Sequence, residues 1–271
     1  MITAHPGRTP LVVSLPHAGR EIPAEIAARM TPRARTVPDT DWHVERLYAF
    51  ARERGAAWLE PSLSRYVVDL NRPPDDAALY PGQVSTGLCP LQSFDGERLY
   101  AGAGPSPDEV AARRARYWQP YHDALAALVA EARARHGYAV LLDGHSIRSV
   151  VPRLFPGRLP DVNLGTHDGR ACESRLAAAV VAVLGAQSRF SHVRDARFKG
   201  GYITRHYGNP AGGVHALQIE LAQAAYMDEA GGRYDASRAA PLVAVLESIV
   251  AALLEFRPAG SRIAAATGVT T

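Results

Sequence analysis

The sequence predicts an α/β protein, three-layered (αβα) around a mixed, mostly parallel central sheet. Three observations carry that expectation. Short aliphatic runs bounded by turn residues alternate along the chain with longer helical stretches. Two of those runs, Leu11 to Leu15 (LVVSL) and Tyr138 to Leu142 (YAVLL), read as buried strands and lead directly into a histidine, in Pro16-His17-Ala18-Gly19 and Asp143-Gly144-His145-Ser146. Ligands and catalytic groups gather at the carboxyl ends of parallel strands in open α/β sheets. Two imidazoles delivered to that edge can share one metal ion.

The elements follow in order. After the first strand, helical segments are expected near Pro23 to Arg29 and from Asp41 to Arg54, and strands at Trp58 to Glu60 and Tyr66 to Leu70. Ser106-Pro107-Asp108-Glu109 supplies an N-cap, a proline at the first helical position and an acid two further on. The helix it opens runs to about His136 and stops at Gly137. Helices are also expected at Cys172 to Leu184 and Ala239 to Phe256, with a further central strand at His215 to Leu221. Residues 73–105 and 151–170 are rich in Pro, Gly and Asp and show no period, which marks them as long functional loops. The polar tail, 258–271, is expected to fray.

At 271 residues and 47% hydrophobic content, the chain can bury a full core, and one domain over residues 1–257 is expected. The net charge of +3 comes with many arginines but no basic run and only 7% aromatic residues, which argues against a nucleic-acid binder. Cys89 and Cys172 form no CxxC pair, so neither a disulfide framework nor a thiolate zinc site is expected. No apolar leader opens the sequence, and no uncharged apolar run approaches the roughly 20 residues a membrane span needs. The expected setting is cytoplasmic, without a membrane partner; the oligomeric state is left open.

Zinc hydrolases use two histidines, one carboxylate and an open position for water. His17 and His145 supply the imidazoles. Asp41, in Pro38-Asp39-Thr40-Asp41-Trp42-His43, is the preferred carboxylate, with Glu21 and Asp39 as rivals. Gly19 and Gly144 suggest room for a ligand, and Asp143 is placed to orient His145. Alternation along Ala216-Leu217-Gln218-Ile219-Glu220-Leu221 puts Glu220 and Gln218 on one face of a central strand. A carboxylate there is costly unless paired or working, and burial raises its pKa toward the range of a general base. Arg65 can stabilise an oxyanion. Asn71 and Arg72, where the Pro73-Pro74 pair forbids a continuing strand, offer a fork of donors for a carboxylate. Arg148 or Arg205 is a candidate for gripping a second one.

The ordered set PHAG, DTDWH, SRYVVDLNRPPDD, LYPGQVSTGLCP, DGHSIRSVVPRLFPGRLPDVNLGT and GGYITRHYGNPAGGVHALQIELAQAAYM resembles the N-formylglutamate amidohydrolase family from about Pro10 to Glu229. The resemblance implies a zinc-carboxypeptidase-like (phosphorylase/hydrolase-like) fold related to aspartoacylase and succinylglutamate desuccinylase. It implies zinc-dependent hydrolysis of the small molecule N-formyl-L-glutamate to formate and L-glutamate, within histidine degradation. Carried over, His145 is similar to the second zinc histidine, Asn71-Arg72 to the substrate-carboxylate pair, Arg65 to the transition-state arginine and Glu220 to the general base. The wider superfamily often takes its first histidine and its acid from HxxE. Here His17 is followed by Ala18-Gly19-Arg20-Glu21, one residue too long, so the third ligand stays open among Asp41, Glu21 and Asp39. Other N-acyl amino acids as substrates, or a metal-dependent binding protein with a decayed site, are the alternative readings.

Overall fold

A computed structural model describes residues 2–79, 82 and 86–259. Seven strands form one sheet in the order β1 (Ile2–His5), β3 (Ala57–Pro61), β2 (Leu11–Ser14), β4 (Ala139–Ile147), β7 (Val214–Ala222), β5 (Val162–Gly165) and β6 (His192–Arg194). Strands β3, β2, β4 and β7 run parallel; β1 and β5 pair antiparallel with β3 and β7. The central strands are buried on both faces, as their unbroken aliphatic runs require. One face is covered by α2 (Val44–Glu53), α5 (Ser174–Gly185) and α7 (Ala236–Glu255), whose Leu47, Val180, Leu242 and Leu246 pack on Val13, Leu142 and Leu217. On the other face lie α4 (Gln119–His136), α6 (Tyr202–Tyr207) and irregular chain between residues 63 and 100, joined there by Val12, Leu141 and Ala216. The mixed α/β expectation is met.

The long helix starts as expected. Ser106 Oγ accepts from Glu109 N at 3.2 Å, and the chain leaves the last turn through Gly137 at φ 81°. It is not uniform: α3 (Pro107–Arg113) is joined to α4 by a π-helical turn, Arg114–Trp118. Short α1 (Ala24–Ala27), the two-stranded ribbon of β8 (Met227–Asp228) and β9 (Arg233–Tyr234), and 3-10 turns at Ala34–Thr36, Pro210–Gly212 and Gln223–Ala225 complete the described elements.

Two expectations about the elements are corrected. Tyr66 to Leu70 is not a strand. Its backbone is satisfied piecemeal, by Asp69 N to Leu88 O (2.7 Å), Tyr66 N to Ser64 Oγ (3.2 Å) and the Arg113 guanidinium on Val67 O (3.1 Å). The apolar run therefore reports burial rather than sheet pairing. The stretch 151–170 contains β5, whose four residues are too few for a periodic signal. By length and composition α7 could cross a membrane, but it carries Arg238 and Glu247, so the expectation that no uncharged apolar run is long enough to span stands. Here it packs against α5 and α2 through Leu242, Leu246, Ile249 and Leu253. The stretch 73–105 contributes no helix or strand beyond isolated bridges among its described residues. The expected tail lies outside the described residues from 260 onward.

Strand β4 runs through Asp143-Gly144-His145 rather than ending before it, because β7 pairs with it to Ile147↔Ala222. Gly144 permits this: a Cβ there would lie 2.6 Å from Leu15 Cδ2 and 3.0 Å from Tyr48 Cε2. Gly19 likewise makes way for protein, since its Cβ would meet Leu63 O at 2.2 Å. Neither glycine clears space for a ligand, contrary to expectation. We expect Gly144→Ala to overpack this layer and cost about 1–3 kcal/mol. A lower urea midpoint at unchanged slope would show it, and an unshifted midpoint would contradict it.

Candidate active site

The site grows from a step in the sheet. β2 ends at Ser14, opposite Asp143, while β4 and β7 continue for several residues. Past that point β4 has no neighbour on the β2 side. The Asp41 carboxylate takes the vacant place, Oδ2 accepting from Ser146 N at 3.1 Å. Asp41 N in turn donates to His17 O (3.1 Å), tying the turn after β2 to the turn before α2. His43 enters α2 through a left-handed conformation, φ 64°, so Asp41 sits in a turn rather than at the helix start.

His17, Asp41 and His145 thereby meet, buried, with one donor atom of each within 4.8 Å of the others. Asp41 Oδ2 is 2.9 Å from His145 Nδ1 and 3.8 Å from His17 Nδ1, and the ring centroids are 4.9 Å apart. The far nitrogens face carboxylates: His17 Nε2 is 2.7 Å from Asp69 Oδ1, and His145 Nε2 is 3.1 Å from Asp143 Oδ2. Such carboxylates hold a ligating histidine in one tautomer, its proton on the far nitrogen. His17 Nδ1 and Asp41 Oδ1 are buried without a hydrogen-bond partner. Unsatisfied buried acceptors are costly, and a cation bound between them would remove that cost. The donor set fits a metal ion.

The rival acids are engaged elsewhere. Asp39 Oδ2 accepts from Tyr66 OH (2.6 Å) and Phe94 N (2.7 Å). Glu21 accepts from Ser62 Oγ (2.7 Å) at the surface.

Parallel pairing of β4 and β7 sets Glu220 directly beside His145, on the face they share with Asp143 and Gln218. Glu220 lines a cavity together with His17 and His145, and Gln218 Nε2 donates to its Oε2 at 3.2 Å. Burial pushes the Glu220 carboxyl up to about 8. Arg65, also in the cavity wall, is 7% exposed; its Nη2 donates to Asp69 Oδ2 (2.7 Å), Nη1 lies 3.7 Å from Asp41 Oδ1, and Phe94 flanks it at 4.9 Å. Burial alone would raise the pKa of Asp69, but Arg65, His17 and Arg72 outweigh it and hold the carboxyl well below the usual range. His145 is also buried, yet Asp143 and Asp41 hold its pKa well above the ordinary value.

Asn71 and Arg72 both reach the cavity. The Asn71 amide is built into the site: Oδ1 accepts from Ile203 N (2.8 Å), Nδ2 donates to Asp143 Oδ2 (3.2 Å), and Nδ2 lies 2.9 Å from His145 Nε2. Arg72 donates to Thr86 O from Nε (2.7 Å) and to Thr86 Oγ1 from Nη2 (3.0 Å). Arg148 and Arg205 are not among the side chains lining this cavity. Arg148 pairs with Asp95 at 2.9 Å; Arg205 binds Gly200 O (2.8 Å) and Leu79 O (3.1 Å).

Two residues escaped the sequence reading. Asp69 had a signal, a lone carboxylate within the apolar Tyr66 to Leu70 and four residues after Arg65. Arg197, which lines the cavity from the irregular chain after β6, had none.

The family model described as N-formylglutamate amidohydrolase matches residues 9–227. Over 250 residues, 92% of this chain and 94% of the relative, the sequence is 50% identical to an N-formylglutamate deformylase of Pseudomonas aeruginosa. It is 45% identical over 256 residues to one of Pseudomonas putida, covering 94% of this chain and 96% of that one. The crystal structure of an N-formylglutamate amidohydrolase from Ralstonia eutropha JMP134 superposes with a TM-score of 0.77 at 27% identity, covering 93% of this chain and 95% of the other.

Proposed function

As the chain belongs to the N-formylglutamate amidohydrolase family, we propose that it hydrolyses N-formyl-L-glutamate to formate and L-glutamate, using one zinc ion held by His17, Asp41 and His145. The observation that carries this reading is the pair of unpartnered buried atoms, His17 Nδ1 and Asp41 Oδ1, beside His145, the cross-strand neighbour of Glu220.

Bound zinc would make water acidic enough to ionise near neutrality and would polarise the formyl oxygen. Glu220 takes a proton from the attacking water. The C–N bond of the formamide then breaks, and Glu220 returns that proton to the departing α-amine. Arg65, held by Asp69, faces the negative charge that gathers on the formyl oxygen, where a preorganised cation does most for the rate. Arg72 binds the α-carboxylate, and Asn71 fixes the local geometry through Asp143 and Ile203.

Residues 1–257 act in this reading as one catalytic unit. The two free, buried cysteines suit a reducing, cytoplasmic compartment.

The test is formate release from N-formyl-L-glutamate, compared with hydrolysis of the N-acetyl and N-succinyl analogues. We expect a kcat/KM lower by about tenfold to 10²-fold for each added increment of acyl bulk. No formate from the formyl substrate, or a faster reaction with the acetyl one, would overturn the assignment.

A further inference from the structure

The chain between β6 and α6, residues 195–201, brings Arg197 and Phe198 to the cavity wall. It is clamped to a turn of unusual backbone. His167, Asp168 and Gly169 follow one another in the left-handed region, with φ of 54°, 53° and 82°, and Asp195 joins them at 48°. Residues carrying a Cβ avoid that region unless their surroundings over-determine it. Here they do. Asp195 accepts from Thr166 N (2.7 Å) and Thr166 Oγ1 (2.5 Å), His167 N donates to Lys199 O (2.6 Å), and Lys199 Nζ pairs with Asp168 at 2.9 Å. Both ends of the segment are fixed to one strained turn, with Arg197 and Phe198 between them. A rigid support of this kind is what a recognition element needs.

Three guanidiniums line the cavity. Arg65 is committed to Asp69 and Asp41. Arg72 Nη2 donates to Thr86 Oγ1 (3.0 Å), which in turn reaches the Asp69 carboxylate (3.4 Å) that holds His17, so Arg72 stands at the reacting end. Arg197 Nε donates to Leu154 O at 2.8 Å, which seats it at the apolar wall formed by Leu154 and Phe198. The proposed substrate has the matching order. Its α-carboxylate sits on the carbon bearing the scissile nitrogen, and its second carboxylate lies two methylenes further on. Resting on the deformylase reading above, we infer that Arg197 determines specificity for the side-chain carboxylate, with Leu154 and Phe198 covering the methylenes.

The experiment compares kcat/KM for N-formyl-L-glutamate and N-formyl-L-glutamine, which has the same shape without the charge. Wild type is expected to prefer glutamate by about 10²-fold. In Arg197→Gln the preference falls to within about threefold, through KM for glutamate, whereas Arg72→Gln lowers both substrates together and keeps the ratio. Thermal melts check folding. If Arg197→Gln does not fold, Arg197→Lys, which keeps charge but loses the planar fork, is expected to lose part of the ratio. The full ratio in a folded Arg197 variant overturns the inference. So does a wild type without preference, which leaves formate release standing; no formate release at all removes the underlying reading instead.

Discussion

Glu220→Gln is expected to keep its zinc and lose about 10²- to 10⁴-fold in kcat, with KM for N-formyl-L-glutamate little changed. The substitution preserves shape and can keep a hydrogen bond with Gln218, now 3.2 Å away. It removes only the ability to take a proton from water and hand it to the leaving amine. Burial, helped by the nearby Asp41 and Asp143 carboxylates, outweighs His145 and Arg65 and pushes the Glu220 carboxyl up to about 8. A cation held by His17, Asp41 and His145 would add positive charge nearby and draw that value down, toward the range in which a base at neutral pH is both available and strong. Metal content by elemental analysis separates the two roles. A variant with bound zinc and near-normal kcat would exclude Glu220 as the proton carrier.

Exhaustive chelation is expected to reduce formate release to background, and stoichiometric zinc to restore it. The same titration should raise the Tm. His17 Nδ1 and Asp41 Oδ1 are buried without hydrogen-bond partners, and a cation there would satisfy both. A ligand that binds only the folded state stabilises it by about 2.7 kcal/mol at a hundredfold excess over its Kd. Full activity after chelation, or a Tm indifferent to zinc, would remove the metal from the mechanism.

The covering of the sheet and the placement of Glu220 were legible because periodicity reports which side of an element is buried. Alternation in β7 put Gln218 and Glu220 together, and their shared face is the one that reaches the cavity. The signal failed where burial and pairing part company. Tyr66 to Leu70 is as apolar as a strand, yet it is buried in turns held by Ser64, Leu88 and Arg113. The same misreading hid Asp69, whose position in an expected strand drew attention away from its reach to His17 and Arg65.

By itself, the sequence determined the α/β class, the delivery of both histidines to the carboxyl edge of the sheet, the long capped helix and the family. These are set by local pattern and short-range chemistry. Only the tertiary structure decided which carboxylate joins the histidines. Asp39 and Asp41 lie in irregular chain before α2, and Glu21 lies in a short bridge to Leu63 after β2. Only the premature end of β2 leaves Ser146 N on β4 unpaired within reach of Asp41. The choice of Arg197 over Arg148 and Arg205 as a cavity residue was likewise made by loop packing. Loops meet according to where strands stop and how the chain returns, and no periodicity along the chain encodes that distance.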